Sequence, residues 1–190
     1  VLGLLQPTFG EIFIDGTNAT NIPTHKRCSE FGISWVPQYG GSWSDLTVFE
    51  NIMAIAELHI KEKQERILKV NNLIRKFELE NVIKLKSKYL SGGQVRKLTL
   101  AMAMVKDTKI LILDEPFAGV DLLSIQDIKG LLLKLQARGC AVLVTDHNAS
   151  QLLIVVDRAY FIANGRIVAN GTPRQIVNTA VVKKLYFGKD

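Results

Sequence analysis

The spacing of apolar and polar positions divides the chain into a β-rich opening, a long helical stretch and an α/β remainder. Near the start, Glu11–Asp15 and Ile33–Val36 have the composition of short strands, and the first runs into a turn. From Thr47 to about Val82 the pattern becomes helical and rich in Ala, Leu, Ile, Lys and Glu. Thr47 and Glu50 have the spacing of a capping box, so we expect a helix to begin there.

Two nearly continuous apolar runs in the second half, Lys109–Leu113 and Ala141–Val144, predict strands buried on both faces of a parallel sheet. Between them, seven apolar residues fall largely on one helical face, which predicts a β-α-β unit with the usual crossover. They are Leu122, Leu123, Ile125, Ile128, Leu131, Leu132 and Leu135. The predicted fold class is therefore α/β, doubly wound.

The last part of the chain predicts a hairpin followed by a helix. Asn164–Gly165 separates two apolar runs, 159–162 and 166–169, and this dipeptide strongly favours a type I′ turn. We expect the sheet to end in this antiparallel pair. The tail from Pro173 is predicted to be helical.

Composition narrows the class of protein. With 190 residues, 47% of them hydrophobic, the chain can bury the core of one globular domain. No apolar run approaches the roughly 20 residues of a membrane helix, so no span is expected. Cys28 and Cys140 lie far apart without metal-ligand spacing, which favours reduced thiols and a cytosolic location. The net charge of +6 comes from scattered basic residues, which argues against a nucleic-acid partner.

The segment Leu90–Gln94 precedes an amphipathic helix and could bind phosphate. Ser91, Gly92 and Gly93 would stand at the helix N-terminus, where backbone N–H groups are unpaired and attract anions. The alternative is that Ser91 and Gln94 form only a capping box. The acids that follow the next strand favour the phosphate interpretation.

Asp114 and Glu115 end a buried strand, at the edge where open α/β sheets bind ligands. We expect Asp114 to hold Mg²⁺, mostly through water, because Mg²⁺ gives up its hydration shell reluctantly. Glu115 could orient or deprotonate an attacking water. The alternative is that both acids simply begin a turn.

Three further polar residues are candidates at the same edge. Asp121 is expected to cap the next helix as well as to serve the site. His147 follows the strand Ala141–Val144 and could donate a hydrogen bond to a γ-phosphate. Gln38 follows the strand Ile33–Val36, and its amide could reach both the metal and the attacking water. None of the three is convincing alone.

The order of these segments along the chain resembles that in the ATP-binding subunits of ABC transporters. The segments are Gln38, 90–94, 113–116, 118–121 and 145–147. The resemblance covers essentially the whole chain. It implies a P-loop NTPase-like ABC ATPase core with a mostly parallel sheet, together with ATP and Mg²⁺ as cofactors. It implies these roles: Gln38 in the Q-loop, Ser91, Gly92, Gly93 and Gln94 in the signature loop, Asp114 and Glu115 in Walker B, Asp121 in the D-loop and His147 in the H-loop.

The resemblance also implies partners and an organisation. In this family two such domains pair head to tail, so that the signature loop acts on the ATP of the other subunit. We expect one partial ATP-binding domain, with a helical subdomain at about 47–100 and the Walker B, D-loop and H-loop core at 101–190. Trp43, Leu46 and Phe49 are candidate contacts to a transmembrane permease, although ordinary packing is the alternative. The expected location is peripheral, on the cytoplasmic face of the inner membrane.

A narrower resemblance, to the lipopolysaccharide-export ATPases, rests on 114–121, 145–148, 158–160 and 171–173. Branched-chain amino-acid importers share much of the scaffold and are the alternative. Two residues depart from the export pattern. Leu122 stands where proline is usual after the D-loop aspartate, and Tyr39 where an acid often follows the Q-loop glutamine. Neither position is catalytic, so these departures concern the coupling of hydrolysis to transport more than hydrolysis itself.

The printed sequence contains no match to G-x-x-x-x-G-K-[ST], the phosphate-binding P-loop. We expect that segment upstream of Val1, where the chain opens inside a predicted helix, and we expect this chain by itself not to bind ATP normally. Two other classes of protein stay open as interpretations of this sequence. One is a non-catalytic partner that supplies only the signature half-site. The other is an ABC protein of DNA repair or translation, which the compact helical subdomain argues against.

Overall fold

A computed structural model of the protein describes residues 1–187, apart from the side chains at 181 and 185–187. The chain divides into two compact units, Val1–Thr145 and Asp146–Asp190. The first unit contains a parallel sheet with the helices that pack on it, and the second contains a hairpin and three short helices. None of the helices in the described residues is long and apolar enough to cross a membrane.

The parallel sheet of the first unit has three strands in the order β3-β4-β5. The strands are β3 (Ile33–Val36), β4 (Ile110–Asp114) and β5 (Ala141–Thr145). A hairpin of β1 (Phe13–Ile14) and β2 (Thr17–Asn18), then helix α1 (Thr24–Glu30), come before it. The expectation that the chain opens inside a helix is wrong, since residues 1–10 are irregular and Gly3 has a φ of +83°, outside the helical region. The parallel strands predicted from the apolar runs are thereby confirmed, and the middle of β4 is buried as expected. Burial of β5 on both faces is wrong, because β5 ends the order of the three described strands and Ala141, Leu143 and Thr145 are exposed. Strand β2 was not predicted, because it has only two residues and no apolar position.

Three helices lie between β3 and β4: α2 (Val48–His59), α3 (Lys63–Lys76) and α4 (Gly92–Ala103). The predicted start at Thr47 is confirmed, since the Thr47 hydroxyl accepts from the Glu50 N–H and the Glu50 carboxylate accepts from the Thr47 N–H. The long predicted helical stretch is split, however. Ile60 adopts an extended conformation with φ −123° and ψ 118°, and this break allows α3 to pack back on α2.

The segment before α2 is held by one buried side chain. Asn51 is fully buried, and its amide nitrogen donates to the carbonyls of Trp43, Leu46 and Thr47. Its amide oxygen accepts from the Trp43 N–H at 2.7 Å. Both polar atoms of the Asn51 side chain therefore have partners on this loop, as burial of a polar group requires.

Helix α5 (Leu122–Gln136) crosses from β4 to β5, and five of the seven predicted apolar residues are buried on one face. Leu122 and Leu123 are the exceptions, because they are 72% and 81% exposed. They occupy the first two positions of the helix, which lie ahead of the face that packs on the sheet. Their assignment to the buried face is therefore wrong.

The second unit contains α6 (Ala149–Leu152), β6 (Ala159–Ala163), β7 (Arg166–Gly171), α7 (Pro173–Asn178) and α8 (Ala180–Phe187). The predicted turn between β6 and β7 is confirmed, since Asn164 and Gly165 have φ values of +51° and +72°, both positive as a type I′ turn requires. The helical tail is also confirmed. The hairpin is a two-stranded sheet of its own, so the expectation that it ends the parallel sheet is wrong.

Candidate active site

The carboxyl ends of three parallel strands bring the candidate residues of the first unit together. Residue pairing along the sheet places Val36 beside Leu113, and Asp114 beside Thr145. Gln38 follows β3, and Glu115 follows β4. Residues far apart in sequence therefore meet at one edge of the sheet, where open α/β sheets bind ligands.

A direct hydrogen bond joins two of the predicted residues. The Nε2 atom of Gln38 donates to Oε2 of Glu115 over 2.5 Å, and it also lies 3.3 Å from the hydroxyl oxygen of Tyr39. Both Gln38 and Glu115 are half-buried. With Nε2 committed to the carboxylate, Oε1 of Gln38 is the atom that remains to face a cation or a water.

Asp114 is held by the neighbouring strand. Its Oδ1 atom accepts a hydrogen bond from the Thr145 hydroxyl at 2.6 Å, which fixes the carboxylate while leaving Oδ2 for another partner. Among the described residues there is no cluster of three or more His, Cys, Asp or Glu that could hold a metal. The donor set fits Mg²⁺, which is usually bound by one or two protein oxygens together with waters and substrate phosphates.

Glu115 has a strained backbone. Its φ of +43° lies in the left-handed region, which is uncommon for a residue with a side chain, and its N–H donates to the Thr145 carbonyl at 2.8 Å. Strain of this kind persists where the surroundings impose it, and it is concentrated at functional sites. The turn after β4 thereby holds the Glu115 carboxylate against Gln38.

Arg96 connects both loops of the site, and the sequence interpretation missed it. It is only 8% exposed, and its guanidinium donates to the carbonyl oxygens of Pro37, Gln38 and Glu115 at 3.1, 3.3 and 3.4 Å. In the sequence it is one basic residue in a helix that also carries Lys97. Nothing local distinguishes it from a surface arginine, because all three acceptors are distant in the chain.

The signature loop forms the N-terminus of α4. The Ser91 hydroxyl accepts from the Gln94 N–H at 3.3 Å, and Oε1 of Gln94 accepts from the Ser91 N–H at 3.0 Å. This reciprocal capping is the geometry of a capping box, so the structural role of the pair is observed. Ser91 and Gly92 are exposed, which leaves the phosphate role of this loop open as a prediction.

Both glycines of the signature loop are required by close packing against the loop after β4. A Cβ atom on Gly92 would lie 2.8 Å from the carbonyl oxygen of Gly119, and one on Gly93 would lie 2.7 Å from Cβ of Ser124. Real Cβ atoms do not approach other atoms so closely. The signature and D-loop segments are therefore in direct contact within one chain.

Asp121 caps helix α5, as predicted. Its carboxylate accepts from the hydroxyl and the N–H of Ser124 at 2.6 and 3.0 Å. These hydrogen bonds, first from the hydroxyl and then from the backbone, hold the pKa of Asp121 below its ordinary value of 3.8. The residue is ionised at neutral pH.

His147 belongs to the second unit. Its side chain is 73% exposed, and Nδ1 lies 3.9 Å from Oδ1 of Asp146, whose own side chain is only 2% exposed. Oδ1 of Asp146 also accepts from the Asn148 N–H at 2.8 Å, which orders the start of this unit. The structure thus brings together Gln38, Asp114 and Glu115, and it describes His147 within its own unit.

The candidate permease contacts lie before and at the start of α2. Trp43 is 48% exposed, whereas Leu46 and Phe49 are half-buried. The Asn51 bonds fix the backbone of the loop that carries Trp43 and Leu46. An exposed indole on a rigid loop is compatible with a protein contact, and the assignment stays a prediction.

Comparison with known proteins identifies the family. The model of the family described as ABC transporter matches residues 1–118. The lipopolysaccharide export system ATP-binding protein LptB of Haemophilus influenzae is 40% identical over 190 residues, which are 100% of this chain and 78% of that protein. LptB of Escherichia coli is 36% identical over 191 residues, covering 100% and 79%. The solved structure of an ATP-binding cassette of an ABC transporter matches with a TM-score of 0.87 and 25% identity, covering 97% of this chain and 79% of that one. The chain therefore belongs to the ABC transporter family, as one of its ATP-binding subunits.

Proposed function

We propose that this subunit hydrolyses ATP to power the export of lipopolysaccharide from the inner membrane. The observation that carries the proposal is the hydrogen bond between Gln38 and Glu115, next to Asp114, at the carboxyl edge of the sheet. An amide and two carboxylates at this edge have the chemistry needed to place Mg²⁺ and a water beside a terminal phosphate.

Each residue of the first unit has a separate task in hydrolysis. Glu115 orients the attacking water and accepts its proton, while the Gln38 amide holds the Glu115 carboxylate in place. Asp114 and Oε1 of Gln38 would hold Mg²⁺, largely through water. Mg²⁺ held there would supply positive charge against the phosphates of the nucleotide. The resemblance to the family gives His147, in the second unit, the separate role of donating a hydrogen bond to a γ-phosphate.

The signature loop serves a second copy of the subunit. Ser91, Gly92, Gly93 and Gln94 would bind the γ-phosphate of ATP held by the other subunit, and Asp121 stands beside them in the D-loop. Support comes from the exposed N-terminus of α4, a helix of 12 residues whose first N–H groups and dipole favour an anion. The direct packing of Gly92 on Gly119 joins the signature loop to the D-loop.

The transported substrate is inferred from the relatives. Two proteins at 40% and 36% identity carry the name of the lipopolysaccharide export system. The subunit would act as a homodimer, bound to transmembrane permease subunits through the loop that carries Trp43, on the cytoplasmic face of the membrane. The helical part of about 47–100 follows this loop and would share the contact, and 101–190 would supply the hydrolytic acids.

Reconstitution tests the substrate directly. The native subunit is purified with the membrane proteins that bind it and is placed in proteoliposomes. We expect ATP-dependent release of lipopolysaccharide and no ATP-dependent uptake of branched-chain amino acids. Uptake of amino acids without release of lipopolysaccharide would refute export. Hydrolysis that requires addition of a different, intact ATPase would show instead that this chain supplies only the signature half-site.

A further inference from the structure

A cavity lies at the opposite end of the parallel strands from the candidate active site. It has a volume of about 340 Å³, and Thr108 and Cys140, which come just before β4 and β5, line it. Strand β4 has five residues, and at about 3.3 Å per residue the strand separates this cavity from Asp114 by roughly 16 Å. The cavity is therefore distinct from the nucleotide site.

Cationic side chains from separate elements surround the cavity. Lys69 and Lys76 of α3 and Arg138, just after α5, all line it, and none of them forms a salt bridge within the described residues. Asp107 also lines the cavity but is exposed and has no ion pair there. Lys106 contributes only its stem, because its ammonium donates to the carbonyls of Ile33 and Cys28 at 2.6 and 3.1 Å.

The three cations Lys69, Lys76 and Arg138 repel one another, and the effect is clearest at Lys76. Burial lowers the pKa of Lys76, and the positive charges of Arg138 and Lys69 lower it further. Its ammonium lies over the Phe77 ring, 5.7 Å from the centroid, and no carboxylate in the described part of the chain forms a salt bridge with it. An anion in the cavity would relieve the repulsion among these three cations.

We propose that this cavity binds the phosphate group of a small soluble molecule through Lys69, Lys76 and Arg138. Guanidinium and ammonium groups are the usual partners of phosphate, and the Asn72 side-chain amide at the rim adds a neutral donor. The volume suits a small ligand, because ligand pockets begin at about 300 Å³. The site lies between α3 and the amino ends of the strands, so it connects the helical part of the unit with its sheet.

Calorimetric titration with inorganic pyrophosphate at fixed ionic strength tests the proposal. The unmodified protein should show a saturable site whose affinity falls about tenfold or more in the double variant Lys76→Met, Arg138→Gln. The matched control, Lys61→Met with Lys84→Gln, removes two exposed cations that do not line the cavity and should leave the affinity unchanged. Equal affinity in all three proteins, or no saturable binding, would overturn the proposal.

Cys140 supplies an independent reading of the same site. Its thiol lines the cavity and is 5% exposed, so a ligand there should slow its reaction with a neutral thiol reagent. In a Cys28→Ser background we expect pyrophosphate to protect Cys140, and Arg138→Gln to remove the protection. Arg138 is exposed, so this single variant keeps the test valid even if the double variant fails to fold. Labelling that pyrophosphate does not slow would count against the site.

Discussion

Gln38 and Glu115 are 77 positions apart in the sequence, yet one hydrogen bond joins their side chains. The bond depends on the parallel pairing of β3 and β4, which ends both strands at the same edge. It also depends on the left-handed backbone of Glu115, which aims the carboxylate at the amide. Chemistry at this site is thus a property of two adjacent strand ends and not of either segment alone.

Replacement of Gln38 tests this residue pair. In Gln38→Ala the Glu115 carboxylate loses its amide donor and the site loses one oxygen that faces the cation, so turnover should fall by roughly 10- to 100-fold. Steady-state ATP hydrolysis by the native subunit provides the measurement. Gln64→Ala, on the exposed face of α3, is the control and should hydrolyse ATP at the normal rate. Normal turnover in Gln38→Ala would remove Gln38 from the mechanism.

Arg96 positions the loop of Gln38 and the loop of Glu115 by donating hydrogen bonds to their backbone carbonyls. Lysine cannot donate from two nitrogens to three carbonyls at once, so Arg96→Lys should loosen Gln38 and Glu115 together and lower kcat by about tenfold. The same variant should leave KM for ATP nearly unchanged, since Arg96 is buried and donates to backbone carbonyls of the two loops. A rise in KM with normal kcat would contradict the positioning role.

At the scale of elements, helices α2, α4 and α7 each begin with a capping box, and Thr172 and Gln175 form the one at α7. Thr47 and Glu50 cap α2, and Ser91 and Gln94 cap α4. Only the second pair is proposed to touch a phosphate. The caps of α2 and α4 have the same pair of reciprocal hydrogen bonds, to a carboxylate at Glu50 and to an amide oxygen at Gln94, so the two sites can be compared as a structural and a functional case.

The variants Thr47→Ala and Ser91→Ala separate these roles. Each should lower the free energy of unfolding by about 1 kcal/mol, because each removes one N-cap hydrogen bond. Only Ser91→Ala should also reduce ATP turnover by the dimer. Urea unfolding and hydrolysis assays give the two quantities. Equal and normal turnover in both variants would show that the Ser91 segment is a cap and nothing more.

The cap of α5 should depend on pH. Because its folded-state pKa lies below 3.8, ionised Asp121 contributes stability above that value, and the contribution is lost as the pH falls from 3.8 through the lower folded pKa. Asp121→Asn keeps a good N-cap without the charge. As the pH falls through this window, the unmodified protein should therefore lose stability that the variant does not lose. Urea unfolding from pH 7 to pH 2.5 measures the free energy of unfolding of both proteins. Asp15→Asn, at an exposed position, is the control. Parallel pH profiles for the unmodified protein and Asp121→Asn would exclude this role of the charge.

For the molecule as a whole, the sequence predicts most elements from local signals, although Leu122 and Leu123 are exposed against expectation, and it does not predict individual side-chain contacts between distant segments. The capping box at Thr47, the turn at Asn164 and the apolar run of β4 depend on neighbouring residues, so the sequence alone predicts them. Arg96 and Asn51 look ordinary in the sequence, because their acceptors are backbone carbonyls brought close only by folding.

The same distinction applies to the candidate site. Asp114, Glu115 and Gln38 were predicted because residues that follow parallel strands must share an edge. The tight fit of Gly93 against Ser124 and the cationic cavity around Lys76 involve elements that no local pattern connects. Tertiary packing supplies both, and only the structure reveals them.

Substitution of Glu115 tests the central claim most directly. The variant Glu115→Gln keeps the size of the side chain but cannot accept a proton. Its effect is measured in the native subunit as ATP turnover, together with the mass of the complex in the presence of ATP. We predict a fall in turnover of 100-fold or more, with ATP-bound dimers accumulating, because binding is retained while the chemical step is blocked. Glu80→Gln, an exposed residue outside the site, should behave normally. Retained hydrolysis in Glu115→Gln would contradict the account.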